Sequence, residues 1–326
     1  MEYMPDFKVL HPSTIDDALR AHSDADDARY LAGGTDVLVN MRRGIVEPSA
    51  MVNLANIAEM RAVTELEDGG IKIGAGVTLA DLATDQRIVD GYSVIAEAAL
   101  NVAATSHREV ATLGGNLCLD TRCVFYNQSE WWRGANAYCL KYKGDICHVA
   151  PSGKICFAAY SGDVAPAILV CQGLVEIAGP DGRRTVPLSD IYRDDGLAHL
   201  RLNQGEILCA ILLPAPTDGM SGYAKVRVRS AIDFPLVGVA ITLGKRHGIL
   251  SDLKVALTGT NACPFMLAGT EHLIGKTFDD QALEQLVTLI PKQIQPMSST
   301  FTTPGYRRKV VSNLTRSLAR RLFANA

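Results

Sequence analysis

The spacing of apolar and polar positions changes repeatedly along the chain, and each change marks an element. In "IKIGAGV", Ile71, Ile73, Ala75 and Val77 alternate with other positions, the period of a half-buried strand, and Thr78 with Asp81 caps a helix after it. "STIDDALRAH" carries Ser13 and Asp16 at capping-box spacing ahead of an apolar face at helical period. "ARYLAGGTDVLVNMRRG" reads as a strand, a glycine turn and then a helix or extended segment, and "AMVNLANI" as another short apolar run. "YSVIAEAALNVAA" and the buried run "VAPAILVCQG" read as helices. "LVEIAGPDGRRTVPL" reads as a hairpin around Pro-Asp-Gly, and "EILCAILLPAP" as a strand stopped by prolines. Beyond a boundary near Pro216–Gly219, "GYAKVRVR", "LVGVAITLG" and "GILSDLKVALTG" predict three strands. "PFMLAGTEHLI", "DQALEQLVTLI" and "RKVVSNLTRSLARRL" predict three helices. The fold class is α+β, with no internal repeat and no low-complexity segment.

A chain of 326 residues exceeds one comfortable core, so two or three packed lobes are expected. A net charge of -3 argues against a nucleic-acid groove, and no apolar run approaches the roughly 20 residues that cross a bilayer. "MEYMPDFKVLHPS" has acids and a proline where a signal peptide needs a basic tip and an apolar run. The expectation is a cytoplasmic protein without membrane or nucleic-acid partners. There, cysteines stay reduced unless they bind metal or do redox work.

Two stretches share one plan of an apolar lead, two glycines and a small polar residue: "LAGGTD" (Leu31, Ala32, Gly33, Gly34, Thr35, Asp36) and "ATLGGN" (ending in Gly114, Gly115, Asn116). Adjacent glycines allow positive φ, and successive exposed N–H groups form a concave anion site suited to phosphate oxygens. Thr35, Thr112 and Asn116 add side-chain hydrogen-bonding groups. Neither stretch is a Walker loop or a G-x-G-x-x-G. As a pair they suit the two halves of a pyrophosphate, a dinucleotide held without the usual nucleotide fold.

With these stretches, "IKIGAGVTLADL", "SGDVAPAILVCQGLVEI", "GYAKVRVR", "ALTGTNACPFMLAGTEHLIGK" and "GYRRKVVSNLTRSLARRL" fall in one order over almost the whole chain. That order resembles the FAD-binding medium subunit of the xanthine dehydrogenase family of molybdenum hydroxylases. The resemblance implies a two-lobe FAD-binding domain of the vanillyl-alcohol-oxidase type, followed by a C-terminal domain of β-sheet and helices. The implied divisions are residues 1–57 and 58–217 for the lobes and 218–326 for the third domain. It also implies FAD contacts by Ala32 to Asp36 and by Thr112, Gly114 and Gly115. It puts Asp163 on the ribityl or adenosine side of the flavin and Lys225 near the isoalloxazine, although on the residues alone Lys225 reads as a solvated edge-strand lysine. "SHREVATLGG" departs from the family's usual Ile-Arg-Asn, with His107 and Glu109 in its place. His107 is therefore either flavin-adjacent or an ordinary capping histidine.

Between "GGN" and "SGDVAP" the family has a few residues and this chain about forty more, an insertion over about 119–160. It holds Cys123, Cys139, Cys147 and Cys156 at separations of 16, 8 and 9, without the tight C-x2-C of most structural zinc sites. Four thiolates suit either a tetrahedral zinc or a [4Fe–4S] cluster. Lys141, Lys143 or Lys154 would offset a cluster's charge, and Trp131 and Trp132 would cover it. Cys171, Cys209 and Cys263 read as buried structural thiols. The insertion is similar to one in the branch of the family that reductively dehydroxylates aromatic acyl-CoA thioesters. That implies FAD plus one [4Fe–4S] cluster on this chain, an electron-transfer role and ferredoxin as electron donor. It further implies an (αβγ)2 assembly with a molybdopterin-containing large subunit and a small subunit with two [2Fe–2S] clusters. A self-contained flavoprotein oxidase with a zinc-stabilised loop is a rival, and so is a docking scaffold using the basic helix "SNLTRSLARRLF". Neither glycine turn nor cysteine supplies a substrate acid or base.

Overall fold

The computed structural model describes residues 4–298 and 302–326. Its first layer is a parallel sheet in which β3 (Ala50–Asn53) lies between β1 (Lys8–Leu10) and β2 (Ala28–Leu31), with helix α1 (Ile15–Ser23) packed against it. The helix begins one residue later than the capping-box spacing predicts. Thr14 is the N-cap and its Oγ1 accepts from the Asp17 N–H, so the reciprocal pair is Thr14 and Asp17. After β2 the chain turns through the first glycine pair into helix α2 (Val37–Arg42).

The second layer is a five-stranded sheet, formed by β4 (Val63–Glu65), β5 (Ile71–Gly74), β6 (Leu174–Gly179), β7 (Gly182–Pro187) and β8 (Ile207–Leu213). Its order is β4-β5-β8-β6-β7. β6 and β7 are the hairpin expected from Pro-Asp-Gly. Helices α3 (Leu79–Thr84), α4 (Gln86–Gly91) and α5 (Ser93–Leu100) follow β5, and Thr78 caps α3 by accepting from the Asp81 N–H. Short helices α6 (Thr105–Arg108) and α7 (Leu113–Leu117) lead to the insertion, which contains one six-residue helix, α8 (Glu130–Ala135). Buried helix α9 (Val164–Val170) follows it. Lobe 1 residues such as Ile15 and Val52 share one continuous core with the five-stranded sheet and its helices.

The third layer is an antiparallel sheet of β9 (Met220–Val226), β10 (Val237–Arg246), β11 (Ile249–Thr258) and β12 (Phe265–Met266). Helices α10 (Asp280–Leu289) and α11 (Pro304–Asn325) pack with it around a second core. The first of the three predicted C-terminal helices is absent. "PFMLAGTEHLI" forms β12 and a 3-10 turn at Thr270–Leu273, because Pro264 opens the run and Gly269, at φ 92°, takes the chain out of helical geometry. No helix among the described residues is long and apolar enough to cross a membrane. The fold is α+β: two lobes sharing one core, followed by a C-terminal sheet-and-helix domain with its own.

Candidate functional site

A cavity of about 840 Å³ lies where the two glycine stretches meet, within the roughly 300–1,000 Å³ of small-molecule and cofactor sites. Leu31, Ala32, Gly33, Gly34, Thr35, Asp36, Thr112, Gly114, Gly115, Asn116 and Asp163 all line it. The stretches touch through backbone. A Cβ on Gly33 would sit 2.0 Å from the Val110 carbonyl oxygen and 2.5 Å from its carbon. No side chain fits at Gly33 without separating the lobes.

The two stretches are not equivalent, which corrects the common plan read from the sequence. In the first, Gly34 has φ 72°, and among the described residues no acceptor takes the N–H groups of Gly33, Gly34 or Thr35. In the second, neither glycine has positive φ, and the pair forms the first turn of α7. The Gly114 N–H donates to the Ala75 carbonyl at 2.7 Å, and the Gly115 N–H to Thr112 Oγ1 at 3.1 Å. Those glycines are needed for close approach, since a Cβ on Gly114 would lie 2.7 Å from the Ala75 Cβ. Asn116 is likewise engaged, its Oδ1 accepting from the Val164 N–H at 3.1 Å at the start of α9.

Asp163 precedes α9 and is almost fully enclosed. Tyr223 donates its hydroxyl to Oδ1 at 2.6 Å, and Lys225 its ammonium to Oδ2 at 2.9 Å. Lys225 is not on the cavity wall. It lies behind Asp163 with a side-chain exposure of 1%, and it also donates to the Asn101 carbonyl at 2.9 Å. Burial raises the Asp163 carboxyl pKa despite the lysine, and burial lowers that of Lys225 despite the carboxylate. The solvated-lysine alternative for Lys225 is thereby excluded. His107 does line the cavity, and its Nδ1 is buried with no partner among the described residues.

Sequence reasoning missed several walls. Arg61, Glu206, Ile232, Phe234 and Arg122 all face the cavity, none with a local motif to signal it. Arg122 opens the insertion, ion-pairs with Asp36 and stacks 4.6 Å from the centre of the Phe234 ring. Burial lowers its pKa to about 10, so it stays charged at neutral pH.

The insertion leaves and rejoins the host at one bridged pair: Arg122 and Ala159 exchange backbone hydrogen bonds at 2.7 and 2.8 Å. Within it, Cys123, Cys139, Cys147 and Cys156 are all buried and line one small cavity of about 10 Å³, the room of one water. Among the described residues, no three His, Cys, Asp or Glu side chains converge as ligands of a single metal ion. Four thiols are the donor set of a thiolate-held centre, but as they stand they leave room for one water and form no metal-ion geometry. One backbone N–H already addresses a sulfur: Ala158 donates to Cys156 Sγ at 3.5 Å, while the Tyr126 N–H donates to the Cys123 carbonyl at 3.1 Å. Burial pushes the Cys123 thiol up to about 11 and the Cys156 thiol to about 12. Of the three lysines, Lys141 is buried beside Cys156, with its ammonium on Asp120, while Lys143 points outward to Glu130. Trp131 is 80% exposed and covers nothing, and Trp132 packs on Phe125. Cys171, Cys209 and Cys263 are held near 12 by burial, as inert structural thiols are.

The site is thus a glycine-lined cleft between two lobes, with N–H groups at the first turn that are unpaired among the described residues, the build of a site for a phosphate-bearing cofactor. Residues 5–216 match the family described as FAD binding domain in molybdopterin dehydrogenase, and residues 222–322 match the CO dehydrogenase flavoprotein C-terminal domain. The chain belongs to this family and is an FAD-binding oxidoreductase subunit of the molybdenum hydroxylases. It is 33% identical to the aldehyde oxidoreductase FAD-binding subunit of Escherichia coli over 222 residues, 65% of this chain and 70% of that one. It is 27% identical to the carbon monoxide dehydrogenase medium chain of Afipia carboxidovorans, over 98% of both. Among solved structures, a chain of the Cu,Mo-CO dehydrogenase superimposes with a TM-score of 0.82 over 99% of this chain and 100% of that one, at 24% identity. Quinoline 2-oxidoreductase from Pseudomonas putida gives 0.80 over 99% of each, at 20% identity.

Proposed function

We propose that this chain is the FAD and [4Fe–4S] electron-transfer subunit of a molybdenum enzyme of the 4-hydroxybenzoyl-CoA reductase type, in the place of that enzyme's β subunit. The observation that carries the reading is that four widely spaced insertion cysteines line one buried cavity, with the Ala158 N–H directed at the Cys156 sulfur. FAD, when bound, exchanges one or two electrons, and a cluster carries them singly. The first glycine turn supplies N–H donors for the pyrophosphate, Thr112 a hydroxyl, and Lys225 holds Asp163 in place. Reduced ferredoxin supplies electrons to this chain. On a molybdopterin-containing large partner, two electrons and two protons replace the phenolic C–O bond of 4-hydroxybenzoyl-CoA by C–H, releasing water and benzoyl-CoA. A small subunit with two [2Fe–2S] clusters links the two chains in an (αβγ)2 complex of anaerobic aromatic degradation.

A second reading is favoured by the relatives, several of which are named dehydrogenases. There the chain passes electrons outward from a different molybdenum hydroxylase, and the cysteine loop is a zinc clip. Iron, zinc and acid-labile sulfide, measured with a visible spectrum on anaerobically purified complex, separate the two. About four iron and four sulfide per chain with a flavin band support the first reading. Stoichiometric zinc without sulfide overturns it in favour of the second.

A further inference from the structure

The insertion reaches into the flavin cleft as well as holding the cysteines. Asp36 closes the first glycine turn, directly after N–H groups that have no acceptor, and it lines the cavity. A carboxylate there has the wrong sign for a phosphate ligand, because like charges in a poorly hydrated cleft repel strongly. Asn40 Nδ2 donates to its Oδ2 at 3.1 Å but brings no charge. Its charged partner is Arg122, whose guanidinium lines the same cavity and lies on Phe234. The two side chains are only 15% and 23% exposed, so solvent screens the pair weakly. Arg122 is fixed from behind by its backbone pairing with Ala159 at the insertion's neck, one residue before Cys123.

We infer that Arg122 is a positioning residue of the nucleotide site: it neutralises Asp36, so that the first glycine turn accepts the pyrophosphate of FAD. This inference rests on the cleft being the flavin site. Arg122 stands at the neck of the insertion one residue before Cys123, so the arm that brings the cysteines also conditions the flavin cleft.

The test is FAD binding to the full-length chain stripped of flavin, followed by flavin fluorescence. Arg122→Gln is expected to raise the Kd about 10- to 100-fold, and because Asp36 is poorly exposed the deficit should persist as salt is raised. Arg122→Lys keeps the charge and should retain most of the affinity. The pair Asp36→Asn with Arg122→Gln should regain most of the loss, because it removes the repelling charge along with its neutraliser. If the double variant binds as weakly as Arg122→Gln, Arg122 contacts the ligand itself and the neutralising role is overturned. If Arg122→Gln binds as the unaltered chain does at low salt, Arg122 has no part in the site. If the unaltered chain takes up no FAD, the flavin reading falls first.

Discussion

Replacing Lys225 with methionine tests whether Asp163 depends on its buried partner. The two side chains are 1% and 3% exposed, and besides the lysine only the Tyr223 hydroxyl holds the carboxylate. Methionine keeps the apolar stem and removes the cation, leaving a buried, uncompensated carboxylate. Breaking such a pair costs about 3–5 kcal/mol. At ~2.1 cal/mol/K of unfolding entropy per residue, the 326-residue chain loses about 0.7 kcal/mol of stability per degree near its midpoint, so the Tm should fall by about 4–7 °C. Circular dichroism melts of Lys225→Met against the unaltered chain measure this. Adding Asp163→Asn should recover most of the loss, since no charge is then buried. The deficit also has a pH signature. The Asp163 carboxyl titrates above its ordinary value of 3.8, and without Lys225 it moves higher still. A raised folded-state pKa contributes stability that is present below the unfolded value and lost as pH rises, so the Lys225→Met deficit should widen as pH rises above 3.8. A drop under about 1 kcal/mol, or a double variant no better than the single, would refute the reasoning.

Gly33→Ala drives a Cβ into the Val110 backbone, so the two glycine stretches must part; flavin retained per chain after gel filtration should fall about tenfold or more. Glu206 is held down to about 2 by the Arg184 guanidinium and by Asn203, so its contribution is complete above 4.5 and fades as pH falls through about 2. Glu206→Gln should cost about 1.5–3 kcal/mol at neutral pH in urea melts and flatten the stability profile between those two pH values. Cys156→Ser should lower iron or zinc per chain, whereas Cys171→Ser should leave metal content unchanged; equal loss from both would remove the distinction between ligand and structural thiols. Arg133 is 1% exposed and donates to the Gln128 and Gly44 carbonyls at 2.8 and 2.7 Å, so Arg133→Met should speed protease cleavage between residues 123 and 156.

Alternation made β5 legible, and Pro-Asp-Gly made the β6–β7 hairpin legible, because both signals are local. "PFMLAGTEHLI" had helical composition and failed at Gly269, whose left-handed φ is visible only in three dimensions. The glycine stretches were found, but their difference was not. The acceptor for the Gly114 N–H is Ala75, 39 positions earlier in the chain, and nothing in "ATLGGN" announces it. Lys225 illustrates the same limit: a lysine on an exposed-looking strand is buried because Asp163 and Asn101 meet it from other elements.

How forty added residues keep a fixed shape with one short helix is answered by where they are tied. Their apolar side chains form a separate cluster in which Tyr126, Cys123 and Cys156 pack with Ile45 of lobe 1 and Met297 of the C-terminal domain. Two arginines from the first third of the insertion then reach the same stretch of lobe 1: Arg122 to Asp36 and Arg133 to the Gly44 carbonyl, on either side of α2. Each replaces water on a carboxylate or carbonyl with a rigid planar donor, which fixes direction as well as distance. The cysteine cavity is therefore referenced to the helix that follows the first glycine turn. The relay proposed above, between flavin and a cluster in this loop, needs that constant geometry, and a flexible loop on a single neck could not supply it.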